Sequence, residues 1–217
     1  MNRSTLILAL MWIVSSLQPI EASSIENWID KLFNRNKQAT EVTEEHPELH
    51  QLTVSENLMI PEIEKKQRNK VVKIQQAEYQ RLKAIKEYEV KLLRDDEVIH
   101  ITIAAAALFA PNDTELLASS DAVLRPLLPC LRTPDYYHML IVMHSDNTGN
   151  ESYCYDLTTQ RVTAVFDWLE INGGCVEYVV PYAAGSHEPI KPNNTVTGRE
   201  KNRRLEIYLV PAEAMMK

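Results

Sequence analysis

The residues able to carry nucleophilic or metal chemistry in this 217-residue chain are three cysteines and six histidines. Cys154 with His144 and His187 supplies the parts of a thiol nucleophile and its base, an imidazole that draws the proton from sulfur. No sequence signature of a thiol enzyme surrounds Cys154, so the chain is read as non-catalytic. His46 and His50 have the four-residue spacing of a metal-binding pair, but they sit in an acidic stretch with no third ligand. Three cysteines do not match a four-ligand zinc site. Five glycines against eleven prolines leave little room for glycine-rich phosphate loops. No metal and no cofactor are therefore expected. The formal charge is −7, from 23 Lys+Arg and 30 Asp+Glu, so no basic excess exists to neutralise a phosphate backbone and nucleic acid is not expected as a partner. At 45% hydrophobic and 24% charged residues, the composition is that of a soluble globular protein and excludes wholesale disorder or a polytopic membrane protein.

The elements that must position any site begin after an export signal. Arg3 precedes an apolar run from Leu6 to Val14, followed by Ser15, Ser16, Pro19 and Ala22. This is the layout of a secretory signal peptide over 1–22, cleaved after Ala22. The alternative is an uncleaved anchor, although the run is shorter than the roughly 20 apolar residues of a span. No Cys follows to take an acyl chain. Residues 23–60 read as a polar linker, acidic from Glu41 to His50, with a short amphipathic piece at Ile25 to Phe33. Pro61 opens a long helix expected over 61–97, free of further Pro and of Gly, whose Val71, Ile74, Ala77, Leu82, Ile85, Tyr88 and Leu92 fall within roughly 140° of arc. Packing of that stripe on the following domain is the preferred reading, ahead of a coiled-coil seam, because Glu78 and Glu89 interrupt the heptad.

From Val98 the period changes. Val98 to Ile103 alternates as a strand, Asp113 to Leu131 reads as a helix, and Tyr136 to Met143 as a buried strand. Asp156 to Asn172 reads as a second helix, stopped by Gly173 and Gly174, with strands following at Val176 to Ala183 and Arg204 to Val210. The expected domain, 98–211, is α+β: a β-α-β-α-β-β two-layer sandwich, with the long helix before it and a tail over 212–217.

Four fragments in order carry a family resemblance: Leu108-Phe109-Ala110-Pro111-Asn112, Met143-His144-Ser145-Asp146-Asn147-Thr148-Gly149, Leu157-Thr158-Thr159-Gln160-Arg161, and Gly198-Arg199-Glu200-Lys201-Asn202-Arg203-Arg204-Leu205-Glu206-Ile207. Over about 96–211 the chain resembles the OmpA-like peptidoglycan-binding domains shared with Pal lipoproteins and MotB stator proteins. Those domains place Gly-His-Thr-Asp after the second strand, Leu-Ser-x-x-Arg-Ala in the second helix, and Asn-Arg-Arg before the last strand. They also fill the His144 position with His, which weakens the thiol-enzyme reading further. This chain departs from the pattern at Met143, Ser145 and Val162, and at Cys154, where the family has an Asn. A stator role would need an acidic residue in a membrane segment, and residues 4–20 have none.

The resemblance implies non-covalent capture of the peptidoglycan stem peptide, of the diaminopimelate type, anchoring an envelope structure to the cell wall. It implies that Asp146 accepts from the ammonium of diaminopimelate and that Arg161 forks onto its carboxylate, with Asn112, Thr148, Asn202 and Arg203 completing the site. Arg204 is read as a structural ion-pair member. The implied location is the periplasm, in association with the outer membrane, and residues 25–95 are the candidate contact for an outer-membrane or surface-structure protein. The alternative function is an accessory or assembly protein of a surface structure such as fimbriae, in which the fold makes mainly protein contacts. Export permits disulfides. Cys130 and Cys175 end connections at the same end of the expected sheet and can bridge; three reduced thiols are the alternative, because such connections can lie beyond the roughly 7 Å Cα limit.

Overall fold

Lys, Gln, Glu and Ala hold Lys65–Lys83 in helix α1, which turns Val71, Gln75 and Leu82 inward. The helix stops well short of the expected Glu97, and Tyr88–Leu93 form strand β1 instead. Both periods fit this stretch. Tyr88 and Leu92, four apart, suit one helix face, but Tyr88, Val90 and Leu92 also alternate with Glu89 and Lys91 as a strand does. Pairing decides the outcome, because β1 lies antiparallel to strand β2, Val98–Ala104, with Tyr88 opposite Ile103 and Leu93 opposite Val98. The hairpin turn holds Arg94, Asp95 and Asp96 at φ of 53°, 52° and 68°, a region that costs residues other than Gly about 1–2 kcal/mol each. Helix α1 braces the turn. Arg68 reaches Asp95 at 2.6 Å and Glu97 at 3.0 Å, Gln76 Nε2 donates to Asp96 at 3.2 Å, and Gln75 Nε2 donates to the Glu97 carbonyl at 2.6 Å.

The computed structural model describes residues 63–132 and 136–217, all within one unit that begins at Pro61. The signal peptide, the linker and the opening residues of the expected long helix lie outside the described residues. Three further strands complete one sheet: β3, Tyr137–His144; β4, Val179–Gly185; and β5, Arg204–Pro211. The order is β1-β2-β5-β3-β4, antiparallel except for the β3/β4 pair. Parallel β3 and β4 require a crossover, supplied by helix α3, Glu151–Ile171. Ile99, Ile101 and Ile103 of β2, Met139, Ile141 and Met143 of β3, and Leu205, Ile207 and Leu209 of β5 share a core with Val71 and Leu82 of α1 and Val162, Val165 and Leu169 of α3. The α+β architecture therefore stands, with β1 as an additional edge strand.

The expected helix over 113–131 is a second correction. Only Ser120–Leu124, helix α2, is α-helical, and Arg125–Leu131 tighten into a 3₁₀ turn. Pro126 and Pro129 supply no N–H to an α-helical ladder. Further upstream the Asp113 carboxylate accepts from Thr114 N and Glu115 N at 2.7 and 3.1 Å, which favours a turn over a helix start. A short helix α4, Val196–Asn202, and a terminal turn α5, Glu213–Met216, were not legible as separate elements in the periodicity.

A buried polar row fixes the ends of the central strands. Glu206 of β5 accepts from Arg204 Nε at 2.6 Å and from the Tyr208 hydroxyl at 2.7 Å, and its Oε2 lies 3.5 Å from His100 Nε2 and 3.7 Å from His144 Nε2. Burial alone would raise its pKa; the bonds from His100 and His144 and the Arg204 charge outweigh that and hold the carboxyl well below the ordinary range. The expected pairing of Arg204 is thus with Glu206. Because the folded-state pKa is depressed, this contribution to stability is present above the ordinary glutamate pKa and is lost as pH falls through the folded value.

The expected Cys130–Cys175 bridge is a third correction, since all three cysteines are free. The two connections do meet, with Cys175 N donating to the Leu131 carbonyl at 2.9 Å. But the Cys130 side chain faces α1, where its thiol donates to Glu78 Oε1 at 3.0 Å and Arg81 approaches the sulfur at 3.5 Å. Burial, with the adjacent Glu78 charge, pushes the Cys130 thiol well up. A thiolate-specific label should therefore modify Cys175 before Cys130 and Cys154 in the native protein and all three after unfolding; a 130–175 cross-linked peptide in a non-reducing map would overturn the assignment. Glu206→Gln should lower stability at neutral pH by about 3–5 kcal/mol and flatten the acid limb of the stability–pH curve. Equal denaturant midpoints for the variant and the parent at pH 7 would show that the row does not hold the sheet.

Candidate functional site

The end of β3 carries the first functional side chain. Asp146 follows His144 by two residues and is 5% exposed. Its Oδ1 accepts from Thr148 N at 2.7 Å, closing an Asx turn. The next residue, Gly149, has φ of 107°, and a Cβ there would lie 2.7 Å from the Tyr153 ring, so the turn admits only Gly. Asn150 then caps α3, accepting from Tyr153 N at 2.7 Å. Asp146 Oδ2 accepts from Arg203 in a short ion pair. Burial alone would raise the Asp146 pKa, but the Thr148 hydroxyl and N–H and the Arg203 guanidinium together depress it below the ordinary aspartate value.

Arg161 lies three turns into α3 and is 4% exposed. Its Nε donates to the Asp113 carbonyl at 2.8 Å and its NH2 to the Ala110 carbonyl at 3.1 Å, and the guanidinium sits 4.9 Å from the centre of the Phe109 ring. These bonds take the carbonyls on both sides of Asn112, which holds a left-handed φ of 57° and is exposed. Arg161 thereby ties the loop after β2 to α3. Burial lowers its pKa, and the like charge of Arg203 acts in the same direction. Two of its five N–H groups are committed to carbonyls, and among the described residues it has no carboxylate within ion-pair distance.

The Gly198–Arg204 run becomes intelligible residue by residue. A Cβ at Gly198 would lie 2.0 Å from the Pro192 carbonyl, so the loop after β4 packs directly on α4. Arg199 donates to the Asn193 carbonyl at 2.9 Å. Asn202 is fully buried and clamps the same loop, accepting from Lys191 N at 2.9 Å and donating to the Lys191 carbonyl and Asn193 Oδ1 at 2.8 Å each. The expectation of Asn202 as a ligand group is corrected by this geometry: both ends of its amide are engaged within the protein. Its role is to set the α4–β5 corner from which Arg203 reaches Asp146.

The structure therefore joins Asp146, Thr148 and Arg203 directly, and places Arg161 with the Asn112 loop beside them. Two contributors, Phe109 and Thr158, are not among the site residues expected from the sequence, and a third, Cys154, enters that reading only as a rejected nucleophile and a departure from the family pattern. Phe109 lies under Arg161. Thr158 Oγ1 accepts from Gly185 N at 3.2 Å. Cys154 stands where the family pattern has an amide, and its Sγ lies 3.4 Å from the Asp146 carbonyl. Thr158 stands at the motif's Ser position, which was the signal available. Among the described residues no cluster of His, Cys, Asp or Glu is disposed to hold a metal, and no helix is long and apolar enough to cross a membrane.

Comparison with known proteins places this arrangement. The OmpA family model matches residues 108–203. The peptidoglycan-binding protein ArfA of Mycobacterium tuberculosis is 31% identical over 101 residues, 46% of this chain and 31% of ArfA, so the chain spans about a third of that relative's length. The lipoprotein YfiB of Escherichia coli is 30% identical over 108 residues, 49% of this chain and 68% of YfiB. Among solved structures, the MotB-like protein of Desulfovibrio vulgaris shares the fold at a TM-score of 0.59 and 20% identity, covering 68% of this chain and 99% of that one. The cell wall anchor of the T6SS from Pseudomonas aeruginosa does so at a TM-score of 0.52 and 24% identity, covering 61% of this chain and 92% of that one. With four ordered motifs, a sheet and crossover of the same kind, and a relative matched over two thirds of its length, the chain belongs to the OmpA family.

Proposed function

We propose that this chain binds peptidoglycan non-covalently, through the stem peptide, at the Asp146–Arg161 edge of the sheet. The observation that carries the reading is a fixed anion and a fixed cation, held by different elements, with the cation bound only to carbonyls among the described residues. Diaminopimelate presents an ammonium and a carboxylate on one carbon, so a site for it needs that pairing. Asp146 keeps acceptor capacity beyond Thr148 and Arg203, and Arg161 keeps N–H groups for a carboxylate. Both are nearly buried, where charged hydrogen bonds are stronger than in water. Arg203, partly exposed, is the internal counter-ion that keeps Asp146 ionised before a ligand arrives. Asn112 and Thr148 form the exposed rim, suited to stem-peptide amides.

The names of the relatives support the same reading, since ArfA is a peptidoglycan-binding protein and one structural neighbour is a cell wall anchor. In this reading the chain has no catalytic step. Recognition tethers whatever precedes residue 63 to the cell wall, and the location is the periplasm. An assembly protein working by protein contacts alone would retain no sacculi.

The test is retention on purified sacculi by the full chain. Asp146→Asn and Arg161→Lys should each weaken retention by roughly one to two decades, the worth of a charged hydrogen bond. Lys is chosen at 161 because Ala would also release the Asn112 loop. A soluble stem peptide containing diaminopimelate should elute the protein, and the same peptide with lysine in its place, whose side-chain ammonium has no carboxylate on its carbon, should not. Because the Asp146 pKa is depressed, retention should stay flat from pH 8 down through the ordinary aspartate range and fall only below it. Wild-type retention by both variants would move the function elsewhere in the chain.

A further inference from the structure

The turn that carries Asp146 is exposed from Asn147 to Asn150, yet Asp146 itself is held from beneath by two side chains of α3, each 1% exposed. Cys154 Sγ lies 3.4 Å from the Asp146 carbonyl and 3.7 Å from the Thr148 carbonyl, so one thiol proton faces both ends of the Asx turn. Thr158 sits one helical turn further on. Its hydroxyl lies 2.9 Å from the carbonyls of Cys154 and Tyr155 and accepts from Gly185 N at 3.2 Å. Gly185 in turn accepts from Ser145 N at 2.7 Å, so this second chain of bonds ends on the residue before Asp146.

We infer that Cys154 and Thr158 are positioning residues for ligand binding and act through Asp146. The inference rests on the reading of Asp146 as the ammonium acceptor. Cys154 fixes the turn after Asp146, and Thr158, through the end of β4, fixes the backbone before it. A ligand with its ammonium and carboxylate on one carbon demands a set separation between Asp146 and Arg161. Arg161 is on α3 itself. Cys154 and Thr158 lie on that same helix, so they reference the anion to the element that carries the cation. At this position, where the family pattern has an amide, the thiol offers a single proton to two carbonyls.

The experiment uses the full chain with two readouts: titration of the Asp146 side-chain carboxyl by carbon NMR, and retention on purified sacculi. Cys154→Ala and Thr158→Val remove the donor or acceptor, and Cys154→Ser and Thr158→Ser keep one. The Ala and Val variants should move the Asp146 titration up toward the ordinary aspartate range and weaken retention roughly tenfold. The Ser variants should restore both. Wild-type titration in the Ala and Val variants overturns the inference, whether or not retention falls, because the effect then does not pass through Asp146. A moved titration with unchanged retention also overturns it, because the two residues then set Asp146 without bearing on ligand binding; loss of retention by Asp146→Asn in the same assay would show that the proposed site itself still stands.

Discussion

Asp146 is an anion kept almost out of water, and the arrangement around it follows from what that burial demands. A carboxylate in such a position would take up a proton unless donors surround it. Thr148 supplies two, from a turn only Gly149 can close, and Arg203 supplies a charge. Arg203 can do so only because the preceding corner is rigid, and that rigidity comes from Gly198 lying against Pro192 and Asn202 clamping Lys191 and Asn193. The closing motif therefore reads as one device. Three of its residues, Gly198, Arg199 and Asn202, build a corner, Arg203 delivers a cation to Asp146, and the next, Arg204, reaches back to Glu206.

The same logic separates the two arginines at the site. Arg203 is matched by a carboxylate, whereas Arg161 is matched by carbonyl dipoles and an aromatic face. Dipoles can hold a guanidinium in place without cancelling its charge. Asp146 with Arg203 is thus a neutralised pair, whereas among the described residues Arg161 has no carboxylate within ion-pair distance.

How far the sequence revealed this depended on whether a residue's role was local. The strands at 98–104, 137–144 and 204–211 were legible because their alternation or apolar run has one structural meaning. Tyr88 to Leu93 was not, because residues four apart satisfy the helical and the extended period at once, and only pairing with β2 chose between them. The 113–131 region failed for the opposite reason: its apolar spacing is helical, but Pro126, Pro129 and the Asp113 turn remove the backbone bonds a helix needs. Asp146 and Arg161 could be picked out through the motifs around them. The partnership of Asp146 with Arg203, and the inward role of Asn202, could not, because both arise where segments 57 and 11 residues apart are brought together. Cys130 and Cys175 illustrate the limit of topology. Their backbones meet as expected, while the direction of one side chain was decided by Glu78 on a helix whose docking no local pattern encodes.

The braced hairpin turn at Arg94–Asp96 bears on where this protein can be cut. Three consecutive left-handed residues without a glycine are tolerable only while Arg68, Gln75 and Gln76 hold the turn, so α1 and the β1–β2 hairpin form a mutually dependent piece rather than a stalk and a head. The family match begins at Leu108, beyond both strands of that hairpin. A fragment trimmed to the match would strip β2 from β5, turning an interior strand into a raw edge with Leu205, Ile207 and Leu209 at its border. Such an edge invites pairing with other chains. The smallest fragment that keeps this sheet intact therefore starts at or before Lys65, because β2 covers the edge of β5 and α1, which the family match leaves out, braces the hairpin that carries β2.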